Sequence, residues 1–399
     1  MTDTNQQKID EILTRGVEEI IEKDSIIKKL QSGKQLRIKF GIDPTGPKIH
    51  IGRAIPFWKL RDFQKLGHKI VLIIGDFTAT IGDASDKQAM RKILTEKEVK
   101  KNMKDYKKQI GKILDMRSVE VRYNSEWFKK MKIKDFVSLQ MLFSAQQIIQ
   151  RRNFKERWDE GKTIGSHELD YPLFQGYDSV MVKADVEIGG SDQLFNLKAG
   201  REIQKAFNQK QQDIMTFKML NGLDGRKMST SWGNIITIVD EPGDMFGKVM
   251  SMKDELIDEY FELATRLSGD EISQIKNLSN NPRDIKAKLA KEIVKIYHGE
   301  KEAQKAEEEF NKVHRDRELP SKIEIFETDK KTYLVLDLLC DTRLAPSKSE
   351  ARRLVEQNAV EIQIGDKKEK INNWKKEIEI KDGMIFRKGN RNFIKIKIK

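Results

Sequence analysis

The hydrophobic and polar positions of this 399-residue chain predict a strand–helix–strand unit near its N-terminus. "LRIKFGI" (36–42) and "KIVLIIGDF" (69–77) are both apolar, and the second is apolar at almost every position, which is typical of a strand covered on both faces. Between them, "AIPFWKLRDFQKLGH" (54–68) has the pattern of a helix. A βαβ unit of this kind predicts an α/β fold with a doubly wound, Rossmann-like parallel sheet.

The pattern also predicts the elements on either side of this unit. Residues 8–31 predict one amphipathic helix that ends at the pair Ser32–Gly33. Residues 87–180 are mostly helical around a short strand at 118–124. "ADVEIGGSDQ" (184–193) predicts a strand that runs into a glycine turn, and a helix follows it at 196–207. The chain from 244 to 313 is again helical and heavily charged.

A polar segment separates a small C-terminal unit from the rest of the chain. We predict an α/β domain with a helical insertion at 1–220, a glycine-bounded loop and a helical domain at 221–318, a linker at 319–332, and a small α+β domain at 333–399. The last of these ends in the alternating strand "FIKIKIK".

Composition narrows the range of functions without choosing one. A net charge of +13 favours a polyanionic partner, because basic side chains release counterions from a phosphate backbone, although a proteome rich in lysine would give the same charge. Cys340 is the only cysteine, which excludes a disulfide framework and a cysteine-rich zinc site. The sequence has no signal peptide and no apolar run of membrane-spanning length, so we expect a cytoplasmic protein.

The loop "GIDPTGPKIHIGR" (41–53) follows the first predicted strand of the βαβ unit. In parallel sheets, ligands collect at the carboxyl ends of strands, and phosphates favour helix N-termini. Glycines in this loop let the backbone approach a ligand closely. His50 could donate a hydrogen bond to a phosphate oxygen, or it could only cap backbone groups.

A second loop, "GLDGRKMSTSWGN" (222–234), combines Lys227 with three hydroxyl side chains. A mobile lysine next to hydroxyls suits a leaving pyrophosphate. "HIGR" and "KMSTS" together resemble the HIGH and KMSKS signatures of class I aminoacyl-tRNA synthetases. "GIDPTGPKIHIG", "GDFTATIGDAS", "YPLFQGYDSV" and "EIGGSDQLFN" resemble, in this order, the bacterial tyrosyl-tRNA synthetases.

The resemblance implies a ligase that activates L-tyrosine with ATP and passes the tyrosine to tRNA(Tyr). It implies magnesium with ATP but no metal held by the protein, and a homodimer. The carboxylate nucleophile is already ionised, so no general base is expected. The catalytic residues would be His50, Thr45, Lys227, Ser229 and Ser231. ATP would be bound by Gly41, Asp43, Gly52, Arg53, Gly190, Asp192, Met228 and Thr230.

The stretch "YPLFQGYD" predicts a polar helix face that the resemblance assigns to tyrosine. Tyr171, Gln175 and Asp178 fall at i, i+4 and i+7, which aligns them on a helix, although such a face is usually only solvated. By resemblance, Tyr171 and Gln175 hold the amino group together with Asp83, and Asp178 binds the phenol. Gln193 completes the tyrosine pocket, and Lys39 occupies a position where many members have a tyrosine next to the phenol.

Two positions depart from the signatures. Arg53 replaces the second histidine of the first signature, and Thr230 replaces the second lysine of the other. Arg53 could reach a phosphate or turn outward. With one lysine fewer, Lys227 or a bound cation must stabilise more of the negative charge of the pyrophosphate.

The segment "RLAPSKSEARRLVEQNAVEI" resembles a small RNA-binding module shared with a ribosomal protein of the small subunit. Lys348, Arg352 and Arg353 cluster near the start of its predicted helix, which makes them candidates for RNA binding; a solvated helix face is the alternative.

Three other functions stay open on the sequence alone. A tryptophanyl enzyme shares the fold and both signatures. An RNA-binding protein that has lost catalysis would account for Arg53 and Thr230. Another nucleotidyltransferase of the same fold would leave the C-terminal module unexplained.

Overall fold

The computed structural model describes residues 1–84, 93–315, 319, 323–365, 367–389 and 392–399, without the side chains of Arg152, Ser231 and His314. The described chain forms two compact units, Met1–Ala303 and Gln304–Lys399.

The first unit is built on a six-stranded sheet surrounded by helices. Its strands are β1 (Val17–Ile21), β2 (Arg37–Ile42), β3 (Lys69–Ile74), β4 (Glu120–Tyr123), β5 (Val186–Gly190) and β6 (Asp213–Phe217). The helices up to the end of the predicted insertion are α1 (Gln6–Thr14), α2 (Lys23–Gln31), α3 (Ile51–Lys65), α4 (Thr78–Ile81), α5 (Glu96–Met103), α6 (Tyr106–Ile110), α7 (Ser125–Phe128), α8 (Ile133–Gln140), α9 (Ala145–Ile149), α10 (Arg152–Asp159) and α11 (Ser166–Val182). They are followed by α12 (Leu194–Ala206), α13 (Pro242–Ser251), α14 (Ile257–Ala264), α15 (Gly269–Asn277), α16 (Pro282–His298) and α17 (Glu300–His314), which continues into the second unit.

The sheet has the predicted Rossmann-like character. Its strand order is β1-β6-β5-β2-β3-β4, and every neighbouring pair is parallel except β1 with β6. β3 lies between β2 and the edge strand β4, and Ile70 to Ile74 are almost fully buried, as expected for a strand covered on both faces. β2, β3 and β5 are therefore adjacent, and their carboxyl ends meet at one edge of the sheet.

The prediction of a single helix over 8–31 is wrong. The segment forms α1, then strand β1, then α2, and Gly16 at φ +63° lies where α1 gives way to β1. β1 adds to the edge of the sheet by pairing antiparallel with β6, a strand that the sequence pattern did not identify. The backbone groups of 17–21 thus form hydrogen bonds with β6, a segment distant in the sequence. This pairing outweighs the local preference for a helix.

The second unit is a small α+β body. Its strands are β7 (Glu324–Thr328), β8 (Thr332–Leu334), β9 (Val360–Ile364), β10 (Lys367–Lys370), β11 (Glu377–Glu379), β12 (Ile385–Lys388) and β13 (Asn392–Ile398), and its helices are α18 (Val335–Asp341) and α19 (Lys348–Glu356). Five strands form a sheet in the order β10-β9-β12-β13-β7, whose buried side chains pack with those of both helices.

The predicted linker 319–332 contains part of this sheet. β7 pairs in parallel with the terminal strand β13, from Glu324 opposite Ile394 to Thr328 opposite Ile398. The charged composition of 324–328 suits an edge strand with mostly exposed side chains, which is why it resembles a linker in the sequence.

Candidate active site

A cleft of about 630 Å³ opens at the carboxyl ends of β2, β3 and β5. Almost every residue expected at a catalytic, ATP or tyrosine site lines it: Gly41, Asp43, Thr45, His50, Gly52, Arg53, Asp83, Tyr171, Gln175, Asp178, Gly190, Asp192, Gln193, Lys227, Met228, Ser229 and Thr230. Lys39 does not line it, and the side chain of Ser231 lies outside the described part of the structure.

His50 is the N-cap of α3, and this fixes which of its nitrogens can donate. Its Nδ1 accepts a hydrogen bond from the backbone N–H of Arg53 at 3.3 Å. Burial, with the charges of Arg53 and Lys227 nearby, lowers the pKa of His50 to about 3. The ring is therefore neutral at physiological pH and carries its hydrogen on Nε2, so it combines the capping role with a free donor on the other nitrogen.

The histidine loop and the lysine loop are joined by backbone pairing. The N–H of Ile51 donates to the carbonyl of Ile236 at 2.9 Å, and the N–H of Ile238 donates to the carbonyl of Ile49 at 2.9 Å. Gly52 lies at this junction, where an added Cβ would come within 3.3 Å of the Met228 sulfur. The two segments, distant in the sequence, thus form one wall of the cleft.

Lys227 reaches the region just after the carboxyl end of β5. Its Nζ pairs with Asp192 Oδ2 at 3.1 Å, and both side chains are partly exposed. Asn234 holds the loop that carries Lys227: it accepts from the N–H of Ser229 at 2.8 Å and donates to the carbonyl of Lys227 at 3.1 Å. The ammonium is therefore held at the cleft by contacts that the sequence motif alone did not reveal.

Arg53 turns toward the cleft. Its guanidinium donates to Thr45 Oγ1 at 2.6 Å, and both residues line the cleft wall next to His50. The sequence left open whether Arg53 reaches inward or turns outward, and in the structure it reaches inward. This adds a permanent positive charge at the end of the cleft that holds His50 and Lys227.

The predicted polar helix face is present. Tyr171, Gln175 and Asp178 lie on α11 and all three line the cleft. The hydroxyl of Tyr171 donates to Asp43 Oδ2 at 3.0 Å, which connects the helix to the loop after β2. Burial, followed by the nearby carboxylates of Asp43 and Asp83, raises the pKa of Tyr171 well above its usual value, so the hydroxyl stays protonated.

Asp178 is a buried acceptor at the bottom of the cleft. It accepts hydrogen bonds from Trp127 Nε1 at 2.9 Å and from Asn124 Nδ2 at 3.4 Å. Burial raises the pKa of Asp178 to about 7, although Lys39 and the two donors act in the opposite direction. A buried carboxylate with two fixed donors has further lone pairs that can accept a ligand hydroxyl.

Lys39, expected next to the phenol, is buried away from the cleft. Its ammonium pairs with Glu187 Oε1 at 2.8 Å and donates to the Gln175 carbonyl at 2.8 Å and to Ser179 Oγ at 2.7 Å. An ammonium has three N–H donors, and these three acceptors account for all of them. Lys39 therefore supports α11 through Gln175 and Ser179.

Four polar side chains of the site were missed by the sequence analysis. Asn124 and Trp127 follow β4 and bind Asp178, Asn196 connects the glutamines of the cleft, and Asn234 holds the lysine loop. Asn196 has a helical spacing, i and i+3, with Gln193 only. The other side chains have no such spacing with their partners, so the sequence contains little local signal for these roles.

The predicted RNA-binding side chains lie on α19 of the second unit. Ser347 caps this helix by accepting from the N–H of Glu350 at 3.3 Å. Lys348, Arg352 and Arg353 are exposed and pair with Asp337, Glu356 and Glu350, respectively. The Arg352 guanidinium also lies 4.6 Å from the ring centre of Trp374.

Among the described residues, no group of three or more histidine, cysteine, aspartate or glutamate side chains is arranged to hold a metal ion. In the same part of the chain, no helix has the length and apolar character needed to cross a membrane.

Comparison with known proteins gives consistent matches. Residues 31–315 match the family model described as tRNA synthetases class I (W and Y). The tyrosine–tRNA ligase of Thermotoga maritima is 42% identical over 401 residues, covering 99% of this chain and 98% of that protein. The tyrosine–tRNA ligase of Dehalococcoides mccartyi is 45% identical and covers 90% of this chain and 92% of its own length.

Solved structures match the fold. The C-terminally truncated mitochondrial tyrosyl-tRNA synthetase of Aspergillus nidulans aligns with a TM-score of 0.62 at 22% identity, over 77% of this chain and 93% of its own. The tyrosyl-tRNA synthetase of Archaeoglobus fulgidus, solved with L-tyrosine, aligns with a TM-score of 0.62 at 21% identity, over 76% of this chain and all of its own.

Proposed function

Because the chain belongs to the tyrosyl-tRNA synthetases, a family of class I aminoacyl-tRNA synthetases, we propose that the cleft described above is the site where it activates tyrosine. Its activity is that of a tyrosine–tRNA ligase: it forms tyrosyl-adenylate and pyrophosphate from L-tyrosine and ATP, and then transfers tyrosine to the 3′ end of tRNA(Tyr). The observation that carries the proposal is the convergence of His50, Lys227 and Asp178 on one cleft.

The tyrosine end of the cleft is the part around α11. Asp178 accepts the phenol hydrogen, because it is a buried acceptor whose Trp127 and Asn124 bonds hold it in one orientation. Because Asp178 is buried, the site also discriminates tyrosine from phenylalanine. Phenylalanine has no hydroxyl, so it would leave Asp178 without this hydrogen-bond donor, at a cost of about 1–3 kcal/mol or more. The substrate ammonium binds among four polar side chains that line the same cleft: Tyr171, Gln175, Asp83 and Gln193.

The ATP end is the wall formed by the two joined loops. His50 and Thr45 donate to phosphate oxygens, and Lys227 with Ser229 and Ser231 stabilises the departing pyrophosphate. Gly41, Asp43, Gly52, Arg53, Gly190, Met228 and Thr230 surround the nucleotide, and Asp192 binds the ribose. The neutral His50 ring supports this assignment, because its Nε2–H donates without needing protonation.

The reaction requires positioning more than covalent chemistry from the protein. A carboxylate oxygen of tyrosine forms a bond to the α-phosphorus of ATP, and the bond from that phosphorus to the bridging oxygen of pyrophosphate breaks. Negative charge grows on the phosphate oxygens as this occurs, which is where fixed donors and cations lower the barrier most. ATP enters as its magnesium complex, in which the phosphates supply many of the ligands, as is common for this ion.

The small second unit binds tRNA, and the helical region 221–318 before it contacts the anticodon stem. In this proposal the catalytic domain is 1–220 and the C-terminal module resembles that of the ribosomal protein. The exposed cations of α19 support it, since such groups bind phosphates. Arg352 also lies over the Trp374 ring, and aromatic rings of this kind can stack on bases.

Alanine at Lys348, Arg352 and Arg353 together should weaken charging of tRNA(Tyr) without affecting activation. Each lost phosphate contact weakens tRNA binding and also reduces its salt dependence. We therefore expect KM for tRNA to rise about tenfold or more near 0.15 M salt. Tyrosine-dependent ATP–pyrophosphate exchange, which needs no tRNA, serves as the internal control. A tRNA KM within twofold of the native value at all salt concentrations would contradict this role of α19.

We also propose that the enzyme is a homodimer. An apolar stripe on α8 and the residue after it supports this: Ile133 and Met141 are 84% and 81% exposed, with Val137 between them at 43%. Side chains at i, i+4 and i+8 form one helix face, and exposed apolar patches mark interfaces. Sedimentation equilibrium should give twice 46.4 kDa, and a monomer mass at micromolar concentration would contradict the dimer. A cytoplasmic location remains a prediction, which cell fractionation would test.

A further inference from the structure

A chain of side-chain amides at the wall of the cleft connects Glu187 at one end to Asp83 at the other. Gln175 Nε2 donates to Glu187 Oε1 at 3.2 Å, and Gln193 Nε2 donates to Asp83 Oδ2 at 2.7 Å. Asn196 connects the two glutamines, since its Nδ2 donates to Gln175 Oε1 and to Gln193 Oε1, both at 3.0 Å.

The two carboxylates at the ends determine the orientation of every amide between them. An ionised carboxylate only accepts hydrogen bonds, so each glutamine must turn its NH2 group toward its carboxylate. Both glutamines then present carbonyl oxygens to Asn196, and only an NH2 group can satisfy two carbonyls at once. Asn196 is therefore required as a double donor by the chemistry of its neighbours.

The Glu187 end of this chain is fixed by a buried ion pair. Lys39 and Glu187 are both almost fully buried, and their charged atoms are 2.8 Å apart. Lys39 also donates to the Gln175 carbonyl and to Ser179, so the same ammonium holds the backbone turn that carries Gln175. Glu187 accepts further hydrogen bonds from Ser179 and Gln212, which hold its carboxylate.

We propose that Asn196 is a positioning residue for the amino group of the tyrosine substrate. It is fully buried and does not line the cleft, so it acts through Gln175 and Gln193, which do. Each glutamine carbonyl keeps a second lone pair, and that of Gln175 accepts from the substrate ammonium. The inference rests on the proposed function, because it assumes that these glutamines bind tyrosine.

Preorganisation is the physical reason for such a residue. A glutamine amide that is free to rotate presents its NH2 group as readily as its oxygen, and an NH2 group would repel an ammonium. The carboxylates of Glu187 and Asp83 favour one orientation of the two glutamine amides, and Asn196 adds a hydrogen bond to each amide carbonyl that stabilises this orientation before tyrosine arrives. Less of the binding free energy of tyrosine is then used to order these amides. The effect should therefore fall on tyrosine affinity and leave ATP affinity unchanged.

The test uses two variants of the full-length enzyme and one matched control. Asn196→Ala removes both donors, and Asn196→Asp replaces them with a carboxylate of nearly the same shape. Asn208→Asp makes the same chemical change in an exposed residue just after α12. KM for tyrosine and for ATP is measured in pyrophosphate exchange between pH 6 and 8.5, with thermal unfolding to verify that each variant is folded.

For both Asn196 variants we expect KM for tyrosine to rise about tenfold or more at pH 8.5, while KM for ATP stays within twofold. At pH 6 the tyrosine KM of Asn196→Asp should come closer to the native value, whereas that of Asn196→Ala should not. A buried carboxyl takes up a proton readily, and its O–H then restores one of the two donated bonds. Asn208→Asp should match the native enzyme throughout.

Three results would overturn the inference. The first is a tyrosine KM within twofold of native in Asn196→Ala. The second is an equal rise in KM for both substrates, which would indicate a purely structural role. The third is a rise in the tyrosine KM of Asn196→Asp, relative to the native enzyme, that is as large at pH 6 as at pH 8.5. Gln175→Ala separates this failure from that of the proposed function: if its tyrosine KM is also unchanged, the assignment of the amino-group site itself is wrong.

Discussion

Replacing Asp178 with alanine is expected to lower kcat/KM for tyrosine in pyrophosphate exchange by about 100-fold or more. Removing one partner of a buried hydrogen-bonded pair with a charged member costs roughly 2–5 kcal/mol. Here the phenol would lose its acceptor, and the donors of Trp127 and Asn124 would also lose theirs. Since both effects reduce tyrosine binding, KM for tyrosine should carry most of the loss.

Asp178→Asn is the matched control for this prediction. It keeps the shape and one acceptor oxygen, so we expect a smaller loss of about tenfold. Thermal unfolding distinguishes a folding defect from a binding defect in either variant. A tyrosine kcat/KM within fivefold of native in the folded alanine variant would contradict the role of Asp178.

The raised pKa of Asp178 predicts a pH dependence of tyrosine binding. Because burial raises the pKa of Asp178 to about 7, the carboxyl gains a proton as the pH falls from 8 to 6 and becomes a weaker acceptor. KM for tyrosine should therefore rise toward low pH in the native enzyme. In Asp178→Asn, which does not titrate, this part of the dependence should disappear.

Removing the ammonium of Lys227 is expected to reduce the rate of adenylate formation about 100- to 1000-fold. That is the usual cost of deleting one donor aimed at charge that develops in the transition state. The Asp178 end of the cleft is unchanged by Lys227→Ala, so the equilibrium affinity for tyrosine should stay near the native value. Single-turnover formation of tyrosyl-adenylate and equilibrium tyrosine binding measure the two quantities separately.

Lys253→Ala is a suitable control for the lysine variant. It also removes a lysine, but this one is exposed and pairs with Glu255. Its rate of activation should equal that of the native enzyme. A Lys227→Ala variant that forms adenylate within fivefold of the native rate, or that loses tyrosine affinity instead of rate, would contradict the assignment of Lys227 to the pyrophosphate.

The central part of the fold could be predicted because its signals are local. β3 is apolar at every position after Lys69, and β2 and α3 lie on either side of a loop rich in glycine and proline. β1 and β7 could not be predicted, because each depends on a partner from far along the chain. Both are edge strands with charged residues, and their sequences resemble a helix or a linker when read alone.

The candidate site divides in the same way. Most of the cleft residues to which a role is assigned lie in short motifs, and their convergence was predicted. Residues that hold them in place were missed: Asn196 is recognisable only once two glutamines from different segments are seen to face it. The same limit applies to Lys39, whose position in the sequence did not reveal that its ammonium pairs with Glu187 on the neighbouring strand.

The proposed function requires one cleft that binds the phenol at one end and the triphosphate at the other. A crystal structure with ATP and tyrosinol tests this most directly, because tyrosinol has the phenol and ammonium of tyrosine but no carboxylate to attack ATP. We predict the phenol oxygen in hydrogen-bond contact with Asp178, and phosphate oxygens in contact with His50 Nε2 and the ammonium of Lys227. A triphosphate bound away from both of these groups, or a phenol that points away from Asp178, would contradict the account.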